Sequence, residues 1–380
     1  MKILIAPDSY KGSLTSLEVA ENIEKGILRV FPEAEILKVP MADGGEGTLQ
    51  SLVDAHQGEL IKEKVIGPLG EEVEAYYGLI EKGLTGVIEI AAASGLTLIP
   101  EEKLNPMKTT TFGTGQLIKA ALNKGVKNLI IGIGGSATND AGVGMAQALG
   151  VKFLDRMGKE VGFGGRELRR IDSIDISQLD SRINAVNIRV ACDVKNHLYG
   201  QEGAAYIYGP QKGATPEMVS VLDDNLFHFS RIVERDLGVD LQGIEGGGAA
   251  GGLGAGLRAF LKARLEPGIE IVIDAVNLVG KMEKADLVIT GEGCIDGQTV
   301  NGKTPSGVAK KAGEYGIPVI AISAITGEGV EKVLNEGIDA VFNILQRPVS
   351  LEEEPTEEWL QFVSEQIGRV LKLGTNISIK

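Results

Sequence analysis

The chain has 380 residues, of which 43% are apolar and 24% charged, a globular composition with enough length for two or three domains. Its formal net charge of −14 argues against nucleic-acid partners and anionic membrane surfaces, because both require a basic face. Two cysteines without a CxxC pair exclude a disulfide framework. The N-terminus lacks the features of a signal peptide, and no apolar run could span a membrane. We therefore expect a cytoplasmic protein.

The first sixty residues predict a strand, a helix and a second strand. Residues 3–6 form a short apolar run that is typical of a buried strand. Thr15 and Glu18 have the spacing of a capping box, and apolar residues then recur at helical spacing until Pro32 ends the helix. Residues 36–39 predict the next strand. This order is typical of the start of a doubly wound sheet.

The middle of the chain predicts a different arrangement. Short apolar runs separated by a Gly-Pro turn indicate antiparallel strands, and a stronger run precedes a glycine-rich turn. The predicted strands are 65–66, 73–79, 87–91, 128–132, 188–192 and 204–208. Residues 246–256 are mostly glycine and alanine, and we interpret them as a helix packed very close to another backbone, with a phosphate cradle as the alternative.

The last hundred residues resemble the first sixty in pattern. Strands are predicted at 286–290, 317–322 and 340–344, and a helix at 355–373. Thr304 followed by Pro305 is typical of a helix N-cap with proline at the first helical position. We predict an α/β protein with two domains. Residues 1–60 and 283–380 form a Rossmann-like domain with a mostly parallel sheet, and residues 61–282 form an inserted α/β domain with a mixed sheet. The active site is expected in the cleft between them.

The turn after the first strand can hold an anion. Asp8, Ser9, Lys11 and Ser13 follow residues 3–6, and the carboxyl ends of strands face the ligand crevice in open α/β sheets. The alternative is a capped helix start, in which Asp8 and Ser13 satisfy backbone groups.

The turn after the second strand carries Asp43 and Glu46 among three glycines. Mg²⁺ prefers hard oxygen ligands and usually takes one or two carboxylates together with substrate phosphates. This turn is therefore a predicted magnesium site. A tight turn with solvated acids is the alternative.

Residues 132–142 form the most informative turn. We expect them to begin a helix whose N–H groups face an anion, with Gly134, Gly135, Ser136, Thr138 and Asn139 as ligands. The segment also matches the G-x-G-x-x-A dinucleotide fingerprint, with Asp155 about 20 residues further on. An NAD-dependent oxidoreductase of a small hydroxy acid is therefore the alternative function. The polar run argues against it, because a dinucleotide-binding helix normally turns apolar here.

Residues 297–304 match the G-x-x-x-x-G-K-T pattern of a P-loop. A true P-loop begins directly after its strand, whereas six residues follow the strand predicted at 286–290. We expect instead a phosphate-facing turn that includes Lys303 and Thr304, with Glu292 and Asp296 as partners for a metal or a substrate hydroxyl.

Two further residues are candidates for the chemistry. Asp193 follows a strand and is a candidate general base, since a carboxylate that takes the hydroxyl proton is the usual kinase arrangement. Lys212 lies in a tight turn suited to a substrate carboxylate or phosphate. A structural role is the alternative for both.

Together these segments resemble the bacterial type-1 glycerate kinase family (glycerate 2-kinases), in order and spacing over nearly the whole chain. The resemblance is carried by residues 7–13, 42–48, 111–116, 133–140, 203–214, 249–254 and 291–303. It implies ATP-dependent phosphorylation of D-glycerate with Mg²⁺ on a two-domain α/β fold, with 2-phosphoglycerate favoured over 3-phosphoglycerate. It also implies that the P-loop and dinucleotide matches are coincidental.

With glycerate and ATP as ligands, the residues take the following expected roles. Asp193 is the catalytic base, and Lys11 or Lys212 binds the substrate carboxylate. Residues 134–139 and 302–304, with Lys303, hold phosphates. Asp43, Glu46, Glu292 and Asp296 hold Mg²⁺ or the glycerate hydroxyls. A binding protein without catalysis is the rival from another class. The oligomeric state stays open, with a homodimer among the alternatives.

Overall fold

The computed structural model describes residues 1–345 and 356–374. The chain is an α/β protein whose contacts divide it into two compact units. Unit 1 comprises residues 1–43, 50–56 and 269–380, and unit 2 comprises residues 44–49 and 57–268. The predicted boundaries near residues 60 and 282 stay a prediction, because a compact unit is not by itself an independently folding domain.

The strands of the described residues, numbered in chain order, are β1 (Lys2–Pro7), β2 (Glu35–Lys38), β3 (Glu59–Ile66), β4 (Glu72–Ile80), β5 (Thr85–Glu89), β6 (Asn128–Gly132), β7 (Lys152–Leu154), β8 (Ser173–Asp175), β9 (Asn187–Ala191), β10 (Arg264–Glu266), β11 (Leu287–Ile295), β12 (Val319–Thr326) and β13 (Ala340–Asn343). The α-helices of the same residues are α1 (Ser16–Leu28), α2 (Thr48–His56), α3 (Ala91–Ser94), α4 (Phe112–Asn123), α5 (Val143–Ala148), α6 (Ala204–Tyr208), α7 (Pro216–Leu237), α8 (Ala249–Leu261), α9 (Gly268–Ala275), α10 (Leu278–Met282), α11 (Thr304–Gly313) and α12 (Thr356–Gly374).

Unit 1 contains a parallel five-stranded sheet in the order β13-β12-β11-β1-β2. The order reverses at β1, which pairs with β2 on one side and with β11 on the other, as in doubly wound sheets. The predicted capping box is confirmed, since the Thr15 hydroxyl accepts from the Glu18 amide and the Glu18 carboxylate accepts from the Thr15 amide. Buried side chains of α1 and α12 form one core with this sheet.

Unit 2 contains a mixed six-stranded sheet in the order β10-β9-β6-β5-β4-β3. Strands β10, β9, β6 and β5 are parallel, and the predicted antiparallel strands β4 and β3 complete the edge. Strands β7 and β8 form a separate two-stranded sheet. The predicted fold class, a parallel sheet from both chain ends and an inserted mixed sheet, is confirmed.

Several local predictions are wrong in detail. Residues 204–208 form helix α6, because Ala204 and Ala205 are buried on one face while Ile207 is exposed. Strand β11 continues to Ile295 rather than ending at 290, because its second half still pairs with β12. Lys303 is the N-cap of α11, so Thr304 and Pro305 are already inside the helix.

The C-terminal prediction agrees with α12, although residue 355 lies outside the described residues. The glycine-rich segment 246–256 leads into α8 and packs against backbone, as predicted. A Cβ atom added to Gly251 would lie 2.0 Å from the carbonyl oxygen of Thr138. None of the helices in the described part of the chain has the length and apolar character needed to cross a bilayer.

Candidate active site

A cavity of about 380 Å³ opens in unit 1 at the carboxyl ends of β1, β11 and β12. It is lined by Asp8, Ser9, Tyr10, Lys11, Ser13, Asp43, Glu292, Gly293, Cys294, Lys303, Ala324, Ile325 and Thr356. Ligands bind at this edge of open α/β sheets. The structure thus brings together residues predicted from three separate turns, and we call this cavity the unit 1 pocket.

Asp8 is the most deeply buried acid of the unit 1 pocket, with 7% of its surface exposed. Its carboxylate accepts hydrogen bonds from the Ser9 amide at 2.6 Å and from the Thr304 hydroxyl at 2.6 Å. Burial, followed by the negative charge of Asp43, raises the pKa of Asp8 to about 6, although these hydrogen bonds and Lys11 act in the opposite direction. The structure therefore brings Asp8 and Thr304, which belong to two separately predicted turns, into direct contact.

Glu292 lies beside Asp8, because residues 7 and 291 are partners in the β1–β11 ladder. Its carboxylate accepts a hydrogen bond from Thr299 at 2.6 Å and lies 3.5 Å from the Lys303 ammonium. Burial raises the pKa of Glu292, and the charge of Asp8 adds to the increase. Lys303 also lies 3.9 Å from Asp296. This lysine therefore faces two predicted metal ligands.

Among residues 1–345 and 356–374, no three histidine, cysteine or acidic side chains are arranged to hold a metal ion by themselves. Mg²⁺ does not require such a cage, because it usually binds one or two carboxylates and completes its octahedron with phosphate oxygens and water. The negative charge of Asp43 acts on Asp8, and that of Asp8 acts on Glu292, which indicates a pocket that would accept a cation. The donor set of the unit 1 pocket therefore fits Mg²⁺.

In unit 2, the turn after β6 forms a second cluster of predicted residues. Lys212, with 1% of its surface exposed, donates hydrogen bonds to the Ser136 hydroxyl at 2.7 Å and to the Thr138 carbonyl at 2.6 Å. Burial lowers the pKa of Lys212 to about 7, and the charge of Asp140 partly offsets this effect. We call residues 134–140 together with Lys212 the unit 2 turn.

The unit 2 turn contains polar atoms that make no hydrogen bond with the described residues. These atoms are the Thr138 hydroxyl and both ends of the Asn139 amide, and they are fully buried. Gly134 and Gly135 are exposed beside them. Buried polar atoms normally have partners, so this corner of unit 2 is the second place where a ligand is expected.

The helix predicted to begin within 132–142 begins only at Val143, after Gly142 with φ of +75°. The helix-terminus argument for residues 134–139 is therefore wrong, and any anion would be held by side chains and turn amides. The dinucleotide interpretation is also contradicted. Strand β7, which precedes Asp155, pairs with β8, whereas the neighbours of β6 are β5 and β9. A dinucleotide fold requires the two strands in one parallel sheet.

The G-x-x-x-x-G-K-T segment at residues 297–304 lies closer to its strand than predicted. Because β11 extends to Ile295, one residue rather than six separates the strand from Gly297. The side chain of Lys303 faces the acids Glu292 and Asp296.

Asp193 and Glu46 lie in unit 2, and both are exposed. Asp193 follows β9, and its carboxylate accepts a hydrogen bond from the Gly268 amide at 2.9 Å. Glu46 belongs to a turn that is held by Glu89, whose partly buried carboxylate accepts a hydrogen bond from the Leu49 amide at 2.8 Å. Burial raises the pKa of Glu89. Sequence reasoning missed Glu89, because it is the last residue of β5 and lies inside the predicted strand 87–91 instead of following it.

Asp140 is a further residue that is missing from the predicted site residues. It is 1% exposed and accepts from Thr111, Gly142 and Gly144. The sequence did contain a signal for Asp140, because it is the last polar residue of the run 136–140. Its partner Thr111 is the first residue of segment 111–116, another of the segments that carry the family resemblance.

Comparison with known proteins places the chain among relatives of similar length. The family model described as "Glycerate kinase family" matches residues 3–372. The chain is 54% identical to a glycerate kinase of Haemophilus influenzae over 373 residues, covering 98% of this chain and 99% of that protein. It is 53% identical to a glycerate 2-kinase of Escherichia coli over 353 residues, covering 93% of each. The crystal structure of a glycerate kinase 2 from Salmonella typhimurium LT2 superposes with a TM-score of 0.93 at 49% identity, covering 99% of this chain and 100% of that one.

Proposed function

Because the chain belongs to the glycerate kinase family, we propose that it transfers the γ-phosphoryl group of ATP to a hydroxyl group of D-glycerate. The observation that carries this proposal is the unit 1 pocket, which gathers three carboxylates and two lysines at the carboxyl ends of parallel strands. The name of the Escherichia coli relative, a glycerate 2-kinase, supports 2-phosphoglycerate as the product.

We assign Mg²⁺ to the acids of the unit 1 pocket. Asp43 and Glu292 are the predicted ligands that line it. When bound, Mg²⁺ would neutralise charge on the phosphates of ATP. Asp296 lies at the edge of this region and faces Lys303. Roles for Asp296 and Glu46 as metal ligands stay predictions.

The lysines and hydroxyls of the unit 1 pocket would bind and orient anionic groups. Lys303 precedes α11, whose first turn includes Ser306, a buried hydroxyl without a hydrogen-bond partner in the described residues. A helix N-terminus with a nearby lysine favours phosphate. Lys11, Ser9 and Ser13 line the same pocket and would hold the remaining phosphate or carboxylate oxygens.

The unit 2 turn would hold a second anionic group of the substrate pair. Lys212 supplies an ammonium group, and Ser136, Thr138 and Asn139 supply hydroxyl and amide groups. The predicted placement of the active site between the two units stays a prediction.

Asp193 is our candidate for the proton acceptor. Its carboxylate would take the proton of the attacking glycerate hydroxyl, so that an alkoxide-like oxygen meets the γ-phosphorus as the bond to ADP breaks. Positioning and charge neutralisation by the other residues supply most of the acceleration in phosphoryl transfer.

The test is a coupled assay for ADP with purified protein, D-glycerate and ATP·Mg²⁺, followed by ³¹P NMR of the product. We expect ADP formation that depends on D-glycerate, and the resonance of 2-phosphoglycerate. Thermal stabilisation by both ligands without ADP release would favour a binding protein instead. A resonance of 3-phosphoglycerate would retain the activity and change the acceptor hydroxyl. The cytoplasmic location and a homodimeric state stay predictions.

A further inference from the structure

Asp140 is saturated with hydrogen bonds from the protein itself. Its carboxylate oxygens accept from the Thr111 amide at 2.8 Å, from the Thr111 hydroxyl at 2.9 Å, and from the amides of Gly142 and Gly144 at 3.1 and 3.3 Å. The Thr111 hydroxyl in turn accepts from the Met145 amide at 2.9 Å. With all these bonds made inside the protein, Asp140 is unsuited to bind substrate directly. It fixes the end of the unit 2 turn against the start of α4.

Lys212 has the opposite arrangement, with a buried charge and neutral partners. The described residues place no carboxylate within 4.0 Å of its ammonium group, and its hydrogen-bond acceptors are a hydroxyl and a carbonyl. Burial lowers the pKa of Lys212 and the negative charge of Asp140, which ends the turn that Lys212 bonds at Ser136 and Thr138, acts against this decrease. Burial also raises the pKa of Asp140, and the hydrogen bonds from Thr111, Gly142 and Gly144 favour its charged form. The other charged or titratable groups on neighbouring elements are exposed or bonded elsewhere: Glu101, Glu102, Lys103, Tyr208 and Arg258.

We propose that Asp140 is a positioning residue that compensates the buried ammonium group of Lys212 and holds residues 136–139 in the shape that receives a substrate anion. The unpartnered Thr138 hydroxyl and Asn139 amide beside Lys212 are the groups that this anion would contact. The inference rests on the proposed function of the unit 2 turn. It adds a residue that acts on the ligand through Lys212.

The first experiment needs no ligand. Asp140→Asn keeps the side-chain shape and leaves the ammonium group of Lys212 without its counter-charge, so we expect Tm to fall on the order of 5–10 °C. Lys212→Met in the Asp140→Asn background should recover most of this loss, because the uncompensated charge is gone. If the change in Tm of the double variant equals the sum of the changes in the two single variants, the proposal is overturned, since Asp140 would then contribute hydrogen bonds alone. If Asp140→Asn does not fold, a double variant that folds supports the coupling, and one that does not fold contradicts it.

The second experiment measures the Kd of D-glycerate and of a nonhydrolysable ATP analogue separately between pH 6 and 9. Anion binding that needs the charged lysine weakens as the pH rises through the pKa of Lys212. In Asp140→Asn this decline should move about one pH unit lower for the ligand that contacts the turn.

Thr111→Val is the matched control, because it removes hydrogen bonds to Asp140 and leaves both charges in place. Thr111→Val should weaken ligand binding without changing the pH at which half of the binding free energy gained from the charged lysine is lost, which we call the midpoint. An unmoved midpoint in Asp140→Asn would overturn the proposal. Failure of wild-type protein to form ADP would overturn the proposed function, while the Tm cycle would still decide the coupling of Asp140 and Lys212.

Discussion

The unit 1 pocket and the unit 2 turn carry opposite electrostatic problems. In the pocket, burial raises the pKa of Asp8 and of Glu292 and neighbouring negative charge adds to both increases, so that deprotonating these two acids is difficult. In the turn, Lys212 is buried among neutral partners, so that keeping its proton is difficult. Burial penalises the charged form in both places, and a ligand of the missing sign would relieve it. The pocket therefore favours a cation, and the turn favours an anion.

Replacing Asp193 should have the largest effect, and it tests whether the essential acid lies outside the pocket. Asp193→Asn should lower kcat by about 10²–10⁴-fold with KM nearly unchanged, because the amide cannot take the hydroxyl proton. Asn retains an acceptor for the Gly268 amide, so the fold should be kept. Steady-state kinetics are the measurement. Near-wild-type turnover would remove Asp193 from the chemistry and direct attention to Asp8.

Lys212→Met should separate activity from stability in the unit 2 turn. We expect kcat/KM to fall by about 10²–10³-fold, as when one preorganised donor to a reacting group is removed. Tm should not fall, since a buried charge is replaced by an apolar chain of similar length. Lys64→Met is the control at an exposed lysine that pairs with Glu72. A large loss of Tm with normal kinetics would make Lys212 structural.

Gly251→Ala should damage the support of the unit 2 turn. Gly251 has φ of +68°, and its Cβ would lie 2.0 Å from the Thr138 carbonyl oxygen. We expect about 2–4 kcal/mol of lost unfolding free energy, from overpacking and left-handed strain together. Gly238→Ala is the matched control, because Gly238 has φ of +69° with nothing within 4 Å of the added atom. If urea denaturation gives equal losses of unfolding free energy for Gly251→Ala and Gly238→Ala, close packing of α8 against the unit 2 turn does not contribute to stability.

Asp8→Asn should give the smallest effect, and one that depends on pH. The pKa of Asp8 is raised from 3.8 to about 6 in the folded state, so between these values the native state binds more protons than the unfolded state. The free energy of unfolding therefore decreases as the pH rises from about 4 to 6, and it stays at the lower value above pH 6. The variant should exceed wild type by about 2–3 kcal/mol at pH 8 and match it near pH 4.

The difference in unfolding free energy between Asp8→Asn and wild type can be measured by urea denaturation at pH 4 and pH 8. Thr304 can turn its hydroxyl to accept from the new amide, so its contact is retained. Asp224→Asn is the control for the loss of an exposed carboxylate. A constant difference between Asp8→Asn and wild type at both pH values would contradict the raised pKa.

The parts of the molecule that depend on local pattern could be predicted from the sequence. The parallel strands of unit 1, the capping box at Thr15 and the close packing of residues 246–256 all have short-range signals. The strand predicted at 204–208 is wrong, because the isoleucine and tyrosines there favour a strand and only the burial of Ala204 and Ala205 reveals a helix.

In the candidate site, too, residues with a local sequence pattern could be predicted, and residues that depend on distant contacts could not. Its acids and lysines were identified because they follow strands, and the structure groups Asp8, Lys11, Asp43 and Glu292 in one pocket. The start of α5 was misplaced, because nothing local announces the left-handed residues at 141 and 142. The burial of Lys212 and the bonds between Asp140 and Thr111 join segments 29 to 76 residues apart. Such contacts depend on the fold as a whole.

The placement of β1 beside β11 also matters while the protein is being made. Strand β1 leaves the ribosome about 280 residues before β11, the neighbour that separates it from β12 and β13. At about 5–20 residues per second, the edge of β1 that pairs with β11 stays unpaired on the order of tens of seconds. By contrast, every strand of the sheet in unit 2 has been synthesised once the ribosome reaches residue 266. We expect ribosome-bound chains stalled near residue 300 to resist protease over residues 57–268 and to be cut near residue 10. Nascent chains of this protein should therefore depend on chaperones mainly through their first strand.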